Sequence, residues 1–317
     1  MNPTLESALA DGGLPWERGV SLRTLSCWRI GGKADYLVKP RNAEETALAC
    51  HAAREANMPF LVIGHGSNIL FDDAGFRGVI VKIGSAFARW DFDGTTVRAD
   101  AGLWAPSLAR LCADRGLAGL EHAAGIPGNL GGLLYMNGGS MRRNIGDCVT
   151  WVQAMAPDGT IKKFSRDDCE FSYRRSVFQR SRWIILGAEL QLRQSSAKDV
   201  RKAMLDVLEE RRRKFPLELP NCGSVFSNDA QLYERFGPPG MIIDKAGLKG
   251  TRVGGAEVSG KHGNFIVNVG GASSSDVFAL VKKVRDKVRE LTGFTLRTEV
   301  LYLSPDGCHG PLSGFLD

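Results

Sequence analysis

The chain has 317 residues, 43 % apolar and 24 % charged, with a net charge of +6 from 41 Lys and Arg against 35 Asp and Glu. That length favours about two domains with cores large enough to need no disulfide staples, and basic residues that form no aromatic-interleaved block argue against nucleic-acid binding. Seven cysteines (27, 50, 112, 148, 169, 222 and 308), odd in number and without a CxxC pair, argue against a disulfide framework or a zinc site and for a reducing cytosol.

Met1 to Glu6 lack the basic and apolar regions of a signal peptide, and no apolar run approaches the roughly 20 residues that span a bilayer. The expectation is a cytoplasmic protein with no membrane partner. The first twenty residues read as a short helical arm. A strand from Tyr36 to Val38 ends at Pro40, and Asn42 caps a helix to about Ala56, with Glu45 placed for a capping box. Phe60 to Ile63, Val79 to Ile83 and Thr96 to Ala99 read as strands. A helix from about Pro106 to Arg115 ends at Gly116. Val149 to Ala156 and Ile161 to Phe164 flank Pro157-Asp158-Gly159, a hairpin signal, and Trp183 to Leu192 is a further strand. A composition change at Arg193-Gln194-Ser195-Ser196 suggests a domain boundary. A helix follows with Val200, Met204, Val207 and Leu208 at helical spacing. Ser275 caps a long helix with Val277, Val281, Val284, Val288 and Leu291 on one face, and Leu296 to Leu303 closes the fold ahead of a loose tail. Strands and helices mix without strict alternation, so the expected class is α+β.

Two glycine-rich segments interrupt this pattern. Gly64-His65-Gly66-Ser67-Asn68, followed by Ile69, leaves an apolar strand; such a loop is either a tight turn or a concavity of N–H groups for phosphate. Gly125-Ile126-Pro127-Gly128-Asn129-Leu130-Gly131-Gly132 is denser, and Met136-Asn137-Gly138-Gly139 follows it. Neither has the GxGxxG spacing of a Rossmann turn or the P-loop pattern. Two such loops in one domain favour a bound dinucleotide, because glycine is otherwise costly in conformational entropy. Further on, Ser224 sits in Asn221-Cys222-Gly223-Ser224 with no His-Asp pair nearby, so it suits proton donation better than nucleophilic attack. No His spacing suits a metal.

In order, IGGKADYLV (30–38), IGHGSNIL (63–70), AGIPGNLGG (124–132), YRRS (173–176), GSVFSN (223–228), AGLKG (246–250) and KHGNFIVN (261–268) resemble the UDP-N-acetylenolpyruvoylglucosamine reductase family from about Leu22 to Leu303. Fifty positions separate Arg174 from Ser224, which resembles the shorter class without a substrate-capping tyrosine loop. The resemblance implies an N-terminal arm (1–21), a two-lobed FAD-binding domain of the vanillyl-alcohol-oxidase type (22–195), a smaller α+β substrate-binding domain (196–303) and a tail (304–317). It implies FAD and NADPH as cofactors, a UDP-sugar substrate and a step in peptidoglycan precursor synthesis; a monomer is expected, with an oligomer left open. Carried over by position, Arg174, Ser224 and Glu299 are catalytic. Tyr173, Lys214, Asn228 and His262 meet substrate. Gly64, His65, Gly66, Ser67, Asn68, Ile69, Gly125, Ile126, Pro127, Gly128, Asn129, Gly131, Gly132, Asn137 and Gly138 hold the cofactor. His65, Asn129 and Cys222 depart from the usual family residues.

Each catalytic candidate also has a plainer reading. Arg174 is otherwise a surface arginine, Ser224 a turn serine, and Glu299 a carboxylate paired with Arg297 on one strand face. An alternative function is another FAD-dependent oxidoreductase of the same fold, acting on a different sugar or hydroxy acid.

Overall fold

The computed structural model describes residues 2–316. The chain divides into two compact units: one comprises 1–18, 36–65 and 79–211, the other 19–35, 66–78 and 212–317. The first unit therefore runs to Arg211, past the boundary expected after Ser195.

In the first unit the helix Ala43–Glu55 starts where the sequence places it. Asn42 accepts from the Glu45 N–H, but the Glu45 carboxylate reaches back to the Arg41 N–H and guanidinium rather than to the cap residue, so the capping box is not completed. Phe60–Ile63 pairs in parallel with residues 79–82. A five-stranded antiparallel sheet runs Ile161–Ser165, Val149–Met155, Ile184–Gln191, Thr96–Asp100, Trp90–Asp93. Its outer hairpin turns on Asp158, which accepts the Thr160 N–H, and on Gly159 at φ +92°. Its inner face, the helix Ala105–Asp114 and the short helix Leu130–Tyr135 share one core that includes Val97, Leu108, Leu130, Leu134, Val152 and Leu190.

The second unit has its own core of Trp28, Ile30, Val225, Phe226 and the Val277, Val281, Val284, Val288 stripe. The stripe lies on the helix Ser274–Thr292, capped by Ser273 and not Ser275; Ser273 and Asp276 form a full capping box, and Gly293 closes the helix at φ +76°. Leu291 falls off the stripe and is exposed. Antiparallel Ala256–Val258 and Ile266–Asn268 form a small sheet with Arg252–Val253. Leu301–Leu303 pairs in parallel with Ile69–Phe71.

Three further expectations change. The arm is a helix, Pro3–Asp11, followed by a strand, Trp16–Ser21. The closing strand is only Leu301–Leu303, so Glu299 precedes it. The tail is not loose: His309–Pro311 pairs with that strand and Leu312 is fully buried.

Candidate functional site

Gly64 and His65, the start of the first glycine-rich segment, meet the second segment within the first unit. The position a side chain would take at Gly64 lies 3.5 Å from the Asn129 side chain. Asn129 is buried, donates from Nδ2 to the Ile83 carbonyl at 2.9 Å, and bridges to Trp104. The His65 ring lies against the Trp104 ring with centroids 4.4 Å apart. Partial burial there, and then the Lys82 cation, hold the imidazole below its ordinary value, which keeps it neutral. Gly131 donates to the Ala101 carbonyl, and a side chain there would press on Ala101; one at Gly132 would meet open space. The backbone of this corner is thus anchored on its protein side and bare on the other. A side chain at Gly125 would strike Arg211, whose burial lowers its guanidinium to about 10.

Arg174 lies in the same unit, in a tight loop. Ser172 and Arg175 exchange both backbone hydrogen bonds at 3.1 Å, leaving Tyr173 and Arg174 as the two loop residues. Arg174 has φ +55°, a left-handed conformation that costs a non-glycine residue about 1–2 kcal/mol. Its guanidinium donates to the Gly139 carbonyl and lies over the Tyr173 ring. Tyr173 is exposed.

Ser224 and Glu299 are brought together in the second unit. The Glu299 N–H donates to the Val225 carbonyl at 2.8 Å, the Ser227 N–H to the Arg297 carbonyl, and Phe226 bridges to Thr298. Asn264 fixes the same stretch: its side chain takes the Phe226 N–H and donates to the Phe226 carbonyl, both at 2.8 Å, and its own carbonyl takes the Val225 N–H. On the other flank the Asn68 side chain donates to the Glu299 carbonyl, and the Asn68 carbonyl takes the Leu301 N–H. The buried Cys222 thiol points to the Gly66 and Ile69 carbonyls. The Gly66–Ile69 half of the first glycine loop, the serine and the glutamate are therefore one connected assembly.

Cys222 is fully buried and its thiol is pushed far up by that burial, which makes it a packing group and not a nucleophile. Residues 297–299 are not part of a strand, so the strand alternation expected to set Glu299 and Arg297 on one face does not apply. His262 is half-buried between Phe215 and Phe265, and its Nδ1 takes the Asn264 N–H. Burial, then Lys249, holds it below its ordinary value. Lys214 and Asn228 are exposed in this unit. Asn137 and Gly138 lie in the first unit. The Asn137 amide is buried and bonded to the Ser172 carbonyl and the Gly146 N–H, so its polar atoms face protein. Among the described residues no cluster of His, Cys, Asp or Glu suits a metal ion. Sequence reasoning missed Asn264 and Trp104; only Asn264, inside KHGNFIVN, carried a signal.

A model described as the C-terminal domain of UDP-N-acetylenolpyruvoylglucosamine reductase matches residues 215–303, and an FAD-binding domain model matches 34–165. UDP-N-acetylenolpyruvoylglucosamine reductase 1 of Corynebacterium glutamicum is 43 % identical over 292 residues, 92 % of this chain and 87 % of that protein. The reductase of Syntrophomonas wolfei is 40 % identical, covering 87 % and 90 % of the two chains. This chain belongs to the UDP-N-acetylenolpyruvoylglucosamine reductase family. The crystal structure of the Thermus caldophilus UDP-N-acetylenolpyruvylglucosamine reductase superposes with a TM-score of 0.78 at 30 % identity, over 91 % of this chain and 99 % of that one. As a member of the reductase family the chain has the α+β class and the FAD-binding domain expected from the motifs. The glycine corner fits FAD, since its bare backbone at Gly132 and the neutral His65 leave room for a flat ring or a diphosphate. Among the described residues no helix is long and apolar enough to cross a membrane.

Proposed function

We propose that this protein is a cytoplasmic, monomeric, FAD-containing enzyme that uses NADPH to reduce UDP-N-acetylglucosamine enolpyruvate to UDP-N-acetylmuramate, a step in peptidoglycan precursor synthesis. The observation that carries the reading is the family match along nearly the whole chain, joined to the pairing that holds Ser224 beside Glu299. Bound FAD supplies the hydride that adds at C3 of the enol ether. The protein's part is electrostatic and proton chemistry. Arg174, permanently cationic, holds the substrate carboxylate as negative charge grows at C2 and on that group. Ser224 gives its hydroxyl proton to C2, and solvent restores it. Glu299, fixed through its backbone on both flanks, polarises the reacting carboxylate or relays that proton. Lys214, Asn228, His262 and Tyr173 bind the sugar nucleotide. His262 acts as a neutral donor or acceptor, given its lowered titration.

The test is an anaerobic titration. Purified protein should be yellow; NADPH should bleach it, and the enolpyruvyl sugar nucleotide should restore the colour with one equivalent of product. A colourless protein that cannot be reconstituted with FAD, or a reduced flavin that the sugar nucleotide does not reoxidise, ends the proposal.

A further inference from the structure

Arg174 sits in the third position of its turn with positive φ, a place that usually takes glycine or asparagine. A long cationic side chain there is aimed by a backbone conformation that would relax if released. What prevents release is visible in the same unit. The Gln179 carboxamide donates from Nε2 to the Arg174 carbonyl at 2.9 Å and to the Tyr135 carbonyl at 3.0 Å. Ser176 donates its hydroxyl to that Tyr135 carbonyl at 2.7 Å. Asn137 donates to the Ser172 carbonyl at 2.9 Å and accepts the Gly146 N–H at 3.0 Å. One amide thus ties the far side of the loop to the end of the helix Leu130–Tyr135, and another ties its near side to the segment just after that helix. Of these two amides, Gln179 is the one that bonds the strained residue itself.

We propose that Gln179 is a positioning residue for the reaction, holding Arg174 in its left-handed pose so that the guanidinium meets the substrate carboxylate. The inference rests on the reading of Arg174 given above. It goes beyond a helix-end cap, because a group serving only Tyr135 has no reason to reach the Arg174 carbonyl.

The experiment uses the FAD-loaded enzyme with Gln179→Leu, Arg174→Ala and the double variant. Four quantities are measured: flavin retention, the rate of flavin reduction by NADPH, the Kd of the enolpyruvyl UDP-sugar from the flavin difference spectrum, and the rate of flavin reoxidation by that substrate. Gln179→Leu should keep flavin retention and NADPH reduction within about twofold. It should slow reoxidation by roughly tenfold or more, the order of effect expected from a misaimed group. In the Arg174→Ala background it should add nothing further. Normal reoxidation in Gln179→Leu, or an equal further loss in the double variant, overturns the inference while leaving Arg174 in place. Normal reoxidation in Arg174→Ala removes the catalytic reading of Arg174 itself. Should Gln179→Leu not fold, Gln179→Glu decides. Its carboxylate repels both carbonyls and its protonated form donates to one, so reoxidation should gain a limb that rises towards low pH. A pH profile unchanged from the parent overturns the inference.

Discussion

Replacing Asn264 by leucine tests whether the Ser224 segment is held in the manner described. The carboxamide is buried, 6 % exposed, and makes two 2.8 Å hydrogen bonds to the Phe226 N–H and carbonyl. Leucine keeps the same branched heavy-atom shape with bulkier methyl ends, so no cavity opens and the loss falls chiefly on the polar groups. Phe226 is itself buried, and each backbone group stranded there costs about 1–3 kcal/mol. The two together cost roughly 2–6 kcal/mol, which at about 2–4 °C per kcal/mol lowers the melting temperature of the second unit by roughly 10 °C. The companion Asn264→Asp keeps the acceptor for the Phe226 N–H but sets a carboxylate against the Phe226 carbonyl. It should be about as damaging at neutral pH and recover in acid, where the protonated carboxyl donates. Scanning calorimetry of the FAD-loaded proteins gives the stability, and product formation per folded molecule gives the consequence for Ser224. Two results refute the reasoning. One is an Asn264→Leu protein that melts within about 2 °C of the parent. The other is one that melts low but, while folded, forms product at the parental rate; the clamp would then hold the fold without placing the serine.

Further outcomes follow from other parts of the site. Ser224→Ala should still let NADPH reduce the flavin, while product formation falls about 10²-fold or more, the usual worth of a positioned acid; unaltered turnover removes Ser224 as the proton donor. Gly66→Ala should cost flavin retention and stability together, because Gly66 has φ +73° and a methyl there would sit 1.8 Å from the Leu25 carbonyl oxygen. Gly132→Ala meets no protein atom within 4 Å, so it should fold normally and weaken FAD alone, seen as lower flavin absorbance per protein after gel filtration. The imidazoles of His65, His122 and His262 are all held below the ordinary value, chiefly by burial. The unfolded chain therefore binds more protons than the folded one below about pH 6.5, and stability should fall as pH drops through that value and be level above it. The urea midpoint should be lower at pH 5.5 than at 7.5, and His122→Leu should flatten the difference; an unchanged slope in that variant contradicts the assignment.

The parts of the fold written in local physics were legible. Asn42 and the Glu45 N–H start a helix, Asp158-Gly159 turns a hairpin, and a valine at every third or fourth place from 277 to 288 buries a stripe. The errors fall where tertiary partners decide. Ser273 and Ser275 are equally good caps by type, and the choice of Ser273 comes from Asp276 completing the box. The 304–316 segment, rich in Gly and Pro, looks unstructured until Leu301–Leu303 offers an edge for His309–Pro311. At the site, Ser224 and Glu299 were found as single residues. Their pairing was not, because it runs through Val225, Asn264 and Asn68: Val225 lies 39 positions from Asn264 and 157 from Asn68, and Asn68 lies 196 from Asn264.

The positions that break local rules gather where chemistry is assigned. Of the non-glycine residues at positive φ, Asn137, Met141, Arg142, Glu170 and Arg174 all lie between the second glycine loop and the end of the YRRS motif. Asparagine tolerates that region through its short polar side chain; arginine does not gain in that way. A sequence selected for stability alone would place glycine at 174, as the turn geometry prefers. Arginine there, with Gln179 bonded to its carbonyl and Asn137 to the carbonyl of Ser172, is a local cost offset by neighbours, and such conflicts are expected at functional sites. The same logic separates Arg174 from Arg175. Both are arginines in one motif, but only Arg174 has positive φ and a backbone held by a dedicated side chain. Arg175 is an exposed residue at the base of the turn, so Arg175→Ala should leave flavin reoxidation near the parental rate while Arg174→Ala slows it to a small but measurable rate.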